Sequence, residues 1–322
     1  MESRLMTTDH LVDPELKPAL ELIPKLDLRA ETIAPTREVF RQMLAAAPPP
    51  PPLPVEREEI TFPGPAGAPR VRALFYRPTG AQGVLPAILH MHGGGFVFGN
   101  PDFNDLNNRV LCADLGCAIC SVDYRLAPET PHPGSLEDCY AALQGLVDRS
   151  AELRVDPKRI GVMGESAGGG LAAALALLAR DRGGPALAFQ HLIYPMIDDR
   201  TCVCEDPHPL AGELVWTRQD NIFGWTSLLG RKPGGAGVPA YAAAARATDL
   251  TRLPPAFLYV GALDLFLEEN LDYARRLTRA GVPVELHVYP GAFHAFEMAV
   301  GARTTDAAAR DSRAALRRAL FG

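Results

Sequence analysis

The chain has 322 residues, of which 47% are hydrophobic and 22% charged, so it is long and apolar enough for one large or two small domains with a substantial core. A formal net charge of −6 without a basic stripe argues against a nucleic-acid partner, and no apolar run reaches the length of a bilayer span. Met1 to His10 lack the apolar stretch of a secretory leader, so the expected location is cytoplasmic, without stable membrane association.

Asp13-Pro14 has the form of a helix start, and Leu16, Leu20, Ile23 and Leu26 recur at helical spacing; Pro18 and Pro24 divide that stretch into short pieces. Thr36 reads as the cap of a second helix with Val39, Phe40, Met43 and Leu44 on one face. The proline run from Pro48 to Pro54, interrupted only by Leu53, is a stiff extended spacer.

Ile60 to Pro63 and Val71 to Pro78 mix polar and apolar residues, as antiparallel strands at a sheet edge do. Short apolar runs then follow at Ala87 to Met91, Ala118 to Val122, Ile160 to Met163, Leu187 to Tyr194, Ala256 to Val260 and Val284 to Tyr289. Helical patterns lie between most of them, at Asp105 to Asp114, Leu136 to Asp148, Leu171 to Arg180 and Glu268 to Ala280, and Thr304 to Leu320 closes the chain. Such alternation predicts an α/β fold whose mostly parallel sheet is covered by helices on both faces. The stretch from Tyr194 to Pro255 breaks the alternation, carrying one predicted helix over Gln219 to Leu229. An insertion of that length at a strand end usually carries function.

The six cysteines read as free thiols. Cys117 and Cys120 are three apart in a strand pattern and so point to opposite faces, Cys202 and Cys204 have no second pair at metal-site spacing, and Cys112 and Cys139 look like core fillers on helices.

Two glycine-rich turns carry chemistry. Gly164-Glu165-Ser166-Ala167-Gly168 follows an apolar strand and leads into an Ala/Leu-rich helix. A serine hydroxyl is a poor nucleophile unless it is exposed beside a base, and a sharp strand–turn–helix with small residues around the serine provides that exposure. Taken alone, the same pattern fits a solvated serine in a turn equally well. His92-Gly93-Gly94-Gly95 follows an earlier strand, and its unobstructed N–H groups suit a loop that holds a developing oxyanion. A phosphate-binding role is disfavoured, since neither a Gly-Lys-Ser/Thr ending nor a Gly-x-Gly-x-x-Gly spacing is present.

His92-Gly93-Gly94-Gly95, Asp123-Tyr124-Arg125-Leu126-Ala127-Pro128-Glu129 and Gly164-Glu165-Ser166-Ala167-Gly168-Gly169 together resemble the three signatures of the hormone-sensitive-lipase-like family of α/β-hydrolases. The resemblance extends through Leu253 to Ala256, Gly261 to Asp264 and Tyr289 to His294, and covers roughly residues 55 to 320. It implies an α/β-hydrolase fold, with residues 55–322 as the catalytic domain. Residues 1–54 and an insertion at roughly 196–254 would supply a helical cap. Two positions depart from the family pattern. Glu165 stands where the family usually has Asp, and Ala295 where Gly usually follows the catalytic histidine.

The order Ser, Asp/Glu, His selects the remaining partners. Among the histidines after Ser166, His191 and His287 lie within strand patterns and His208 lies in the insertion. His294 alone follows a strand's carboxyl end, where open α/β sheets place their ligands. Asp264 follows the preceding strand in the same way; Asp198 is its competitor, while Glu268 and Glu269 are explained by the helix start. The expected catalytic set is therefore Ser166, Asp264 and His294, with oxyanion donors at Gly94, Gly95 and Ala167 and a further candidate at Gly93. Phe96, Phe98, Trp216, Phe223 and Trp225 are candidates for an acyl pocket, against the plainer reading of aromatic core. Asp123, Arg125 and Glu129 read as a salt-bridged turn bracing the glycine loop, and Asp138 and Asp156 as surface or cap residues.

The residues themselves point to acyl transfer through an acyl-enzyme, with no metal and no organic cofactor; the resemblance implies that the substrates are small, short-to-medium acyl esters. An amidase or lactonase would use the same residues. A non-catalytic binding protein would more often have lost one of them, and no long exposed apolar lid points to an interfacial lipase. The expected partner is a small ester; the resemblance also allows a homodimer.

Overall fold

The computed structural model describes residues 8–322; the start of the segment read as lacking a leader lies outside the described residues. The apolar runs pair into one eight-stranded sheet of order β1-β2-β4-β3-β5-β6-β7-β8. Its strands are β1 (Val55–Phe62), β2 (Val71–Pro78), β3 (Leu85–Met91), β4 (Ala118–Asp123), β5 (Val155–Glu165), β6 (Gln190–Ile193), β7 (Ala256–Gly261) and β8 (Val284–Tyr289). β1 and β2 run antiparallel to their neighbours, and every pairing from β4 through β8 is parallel. This is the α/β-hydrolase arrangement that the alternation and the motifs predicted.

Side-chain alternation along the strands feeds clusters on both faces of the sheet. Ala87, Leu89 and Met91 of β3 join one cluster, with helices α4 (Gly134–Asp148), α6 (Ala167–Asp181) and α8 (Leu267–Arg279). Ile88 points the other way, into a cluster with α3 (Asp105–Leu115) and α9 (Arg303–Phe321). Cys117 and Cys120 fall in different clusters, on opposite sides of the sheet, and all six cysteines are unpaired.

Several boundaries move. β1 starts at Val55 rather than Ile60, since the polar residues Glu56 to Glu59 lie on an exposed edge strand. β6 is shorter than the Leu187 to Tyr194 run. Asp13 does not begin a helix; it closes a turn by accepting from the Glu15 N–H, and α1 starts at Lys17 with Pro18 in its first turn. Thr36 lies inside α2 (Ile33–Ala46) rather than capping it, and its N–H donates to the carbonyl of Thr32 at the true cap position. The insertion after β6 contains α7 (Arg218–Leu229), started by a capping box between Thr217 and Asp220. The other carboxylate oxygen of buried Asp220 accepts from the Leu28 N–H at 3.2 Å, linking α7 to the N-terminal segment.

Candidate active site

The turn after β5 is held in an unusual conformation. Ser166 has φ 54° and ψ −119°, between the last strand residue, Glu165, and the first residue of α6, Ala167. Its N–H donates to the Ile193 carbonyl at 2.9 Å, and its carbonyl accepts from the N–H groups of Gly170 and Met196, both at 2.9 Å. The small residues around it are required by close approach: a Cβ on Gly168 would lie 2.0 Å from the Met91 carbonyl oxygen, and one on Gly164 2.4 Å from the Gly168 carbonyl carbon.

The carboxyl ends of the parallel strands bring distant residues together. Ser166 Oγ lies 3.1 Å from His294 Nε2, and His294 Nδ1 lies 2.8 Å from Asp264 Oδ2. Asp264 is fully buried, and its Oδ1 accepts from the Phe266 N–H at 2.9 Å. A carboxylate facing Nδ1 places the imidazole proton there and leaves the Nε2 lone pair toward the serine. Ala295, which follows the histidine, has φ 62°, the left-handed conformation that its family's usual glycine takes without strain.

The competing residues have other roles. Asp198 is ion-paired with Arg200 at 2.7 Å. His191 is buried against the Phe257 ring, and its Nε2 lies 2.8 Å from Ser312 Oγ. Glu269 differs from its reading as a helix-start acid: it is buried and accepts from the N–H groups of Ile197 and Asp198 and the Thr201 hydroxyl, anchoring the start of the insertion.

The glycine loop curls beside the serine. Gly94 and Gly95 have φ of 117° and 57°, and the N–H groups of Val97 and Phe98 both donate to the Gly94 carbonyl at 3.0 Å. Among the described residues, no group accepts from the N–H of Gly94, Gly95 or Ala167. His92 is held neutral, since burial pulls it down to about 3, so its Nδ1–H donates to the Gly93 carbonyl at 2.7 Å. The Tyr124 hydroxyl donates to the His92 carbonyl at 2.6 Å.

The charged stretch after β4 differs from the expected self-contained turn, because each charge pairs with another element. Asp123 meets Arg72, Arg125 forks onto Asp138, and Glu129 meets Arg37. Asp138 is accordingly buried rather than a surface or cap residue. Asp156 does cap a turn, accepting from the Lys158 N–H. Arg37, on α2, also donates to the carbonyls of Val97 and Ala127 at 2.7 and 2.8 Å, so the N-terminal segment supplies the brace expected from the turn. Arg37 and Val97 are far apart in sequence, and no local pattern marks their contact.

A largely apolar cavity of about 580 Å³ opens over Ser166, His294 and Gly93 to Gly95. Phe98 and Trp216 line it, whereas the other proposed pocket aromatics do not. Phe96 and Trp225 are buried with ring centroids 5.3 Å apart, and Phe223 packs against the core. Gly95 packs against the Trp216 ring, Phe96 takes a left-handed backbone conformation with φ 67°, and Phe98 stacks on Phe40 at 4.9 Å. Two cavity residues had no signal in the sequence. The Tyr194 ring stands edge-on to His294 at 4.6 Å, and its hydroxyl donates to the Glu297 carboxyl. Burial, and then the neighbouring Glu165, push Glu297 up to about 8. Among the described residues, no His, Cys, Asp and Glu side chains converge in a metal-binding group, and no helix is long and apolar enough to cross a membrane.

This geometry is that of an α/β-hydrolase, and comparison with known proteins agrees. A sequence profile of the alpha/beta hydrolase fold matches residues 88–298. The chain belongs to this family, in its hormone-sensitive-lipase-like branch. It is 35% identical over 300 residues to carboxylesterase NlhH of Mycobacterium tuberculosis, covering 88% of each chain. To ethyl acetate hydrolase of Pseudomonas putida it is 33% identical over 229 residues, covering 69% of this chain and 70% of that one. Among solved structures, a bacterial heroin esterase superposes with a TM-score of 0.91 at 39% identity, covering 98% of this chain and 100% of the other.

Proposed function

We propose that the protein is a serine carboxylesterase acting on small esters with short-to-medium acyl chains. The observation that carries this reading is the continuous Ser166–His294–Asp264 contact chain, at 3.1 and 2.8 Å, facing a cavity beside uncommitted N–H donors. In the proposed cycle His294 Nε2 takes the Ser166 proton as Oγ attacks the ester carbonyl. Asp264 holds the imidazole tautomer and stabilises the imidazolium. The N–H groups of Gly94, Gly95 and Ala167, with Gly93 adjacent, bind the tetrahedral oxyanion. His294 then protonates the departing alcohol, and water cleaves the acyl-enzyme by the same route in reverse. The relatives that the chain resembles are themselves named as hydrolases of esters.

In our reading the described part of residues 1–54, from Thr8 onward, and the insertion at roughly 196–254 form the cap over this site. Leu22, Phe40 and Met43 from one and Val215 and Trp216 from the other wall the cavity, and the Leu28–Asp220 hydrogen bond joins them. Six free thiols support a cytoplasmic location. A cavity of about 580 Å³ suits a small ester. The test is a panel of p-nitrophenyl esters from acetyl to palmitoyl, run beside an anilide and a lactone. Turnover should be highest on the shorter esters and fall at palmitoyl; a preference for the anilide or the lactone would replace the esterase reading.

A further inference from the structure

The carboxylate next to the serine is gripped from behind. Glu165 ends β5, and its two oxygens lie 3.1 and 3.0 Å from Nε2 of His90, which is fully buried on β3. On the far side of that ring, His90 Nδ1 lies 2.8 Å from Ser121 Oγ on β4, with Asn108 Nδ2 of α3 at 3.4 Å. A carboxylate at Nε2 calls for the proton there, which leaves Nδ1 to accept from the Ser121 hydroxyl. One polar chain therefore crosses three neighbouring strands and ends on the residue bonded to Ser166. No step of acyl transfer uses it. Burying an imidazole only to fill space is unfavourable where an apolar side chain would pack, so the chain needs another reason.

The elbow supplies that reason. Ser166 holds a backbone conformation with φ 54° and ψ −119°, which a non-glycine residue keeps only when its surroundings over-determine it. Helix α6 fixes the residues after it, and the clamp on Glu165 fixes the side chain before it. His90 also lies on the strand that leads directly into Gly93 to Gly95, and it pairs in register with Met163 of β5. The clamp thus ties the serine and the glycine loop into one frame.

We propose that Glu165 is a positioning residue: held by His90, it keeps the Ser166 hydroxyl aligned between His294 and the glycine-loop donors. The proposal rests on Ser166 being the nucleophile. Reach is what matters in this chain. Shortening Glu165 by one methylene withdraws its oxygens by about 1 Å or more, beyond hydrogen-bond range of His90. Gln keeps the length, and its amide oxygen still accepts from Nε2–H.

The test compares wild type, E165D, E165Q and S166A for the rate of phosphonylation by a fluorophosphonate, for kcat and KM on p-nitrophenyl acetate, and for melting temperature as a check on folding. E165D should lose about 10²-fold in both phosphonylation rate and kcat, as expected for a displaced reacting group, while KM stays within about threefold. E165Q should stay within about threefold of wild type in all three. Wild-type reactivity in E165D, a loss confined to KM, or E165Q as slow as E165D would overturn the proposal. Phosphonylation of S166A at the wild-type rate would instead remove the nucleophile assignment beneath it.

Discussion

At the residue scale, the account depends on a small number of side chains whose surroundings separate their roles. Asp264 is buried and binds both His294 Nδ1 and the Phe266 N–H, so Asp264→Asn preserves the shape but presents the wrong tautomer to the imidazole. Turnover should fall about 10³–10⁴-fold with folding intact, whereas Asp198→Asn, which loses only a partner for Arg200, should be near wild type. Equal losses in the two variants would discard Asp264 as the orienting acid. Glu297 makes a separate prediction through pH. Its carboxyl is raised from 4.5 to about 8 in the fold, so the unfolded chain releases that proton first and stability falls as pH rises through this interval. Glu297→Gln keeps the acceptor for Tyr194 and removes the ionisation. The melting temperature of the variant should therefore gain on wild type from pH 4.5 toward pH 8, and parallel profiles would refute the buried neutral carboxyl. The candidate catalytic residues were legible from chain order and strand ends. Glu297 was not: it follows His294 by three residues, and its environment is created by Tyr194, just after β6, and Glu165 at the end of β5.

At the scale of elements, the glycine-rich turns are close-approach devices. α6 meets the end of β3 so tightly that a Cβ on Gly168 would overlap the Met91 carbonyl oxygen at 2.0 Å. Gly168→Ala should cost about 1–3 kcal/mol in thermal unfolding, as overpacking does, and should slow the enzyme by moving the elbow from the glycine loop. If Gly168→Ala proved as stable and as fast as wild type, the strand-to-helix turn would have more room than described. The repeating strand–helix pattern made most elements readable within a few residues. It failed where side chains from elsewhere decide the outcome. Thr36 has a capping residue's chemistry, but α2 begins before it, at Ile33, with Thr32 at the cap position. The charged stretch Asp123 to Glu129 was read as bracing itself, yet its partners come from β2, α4 and α2. Of the five aromatics proposed for the pocket, Phe98 and Trp216 line it, whereas Phe96, in a left-handed conformation with φ 67°, packs its ring beside Trp225 in the core.

At the scale of the molecule, the sheet acts as a frame whose carboxyl edge assembles residues from separate chain segments, and Leu22, Phe40, Met43, Val215 and Trp216 wall the cavity above that edge. The motif set pointed to this arrangement because glycine-rich turns, acid and base each follow a strand in the order that the fold demands. The long-range contacts around the cavity were not legible, since Leu28 with Asp220 and Arg37 with Val97 join parts of the chain with no shared local pattern. The central claim is that ester cleavage proceeds through a covalent acyl group on Ser166. Intact-mass analysis after treatment with a fluorophosphonate, followed by peptide mapping, tests it most directly. The wild-type chain should gain one adduct, located on the peptide carrying Ser166, and lose ester hydrolysis in step; Ser166→Ala should gain none and hydrolyse no ester. An adduct on another residue, or full hydrolysis by Ser166→Ala, would contradict the account.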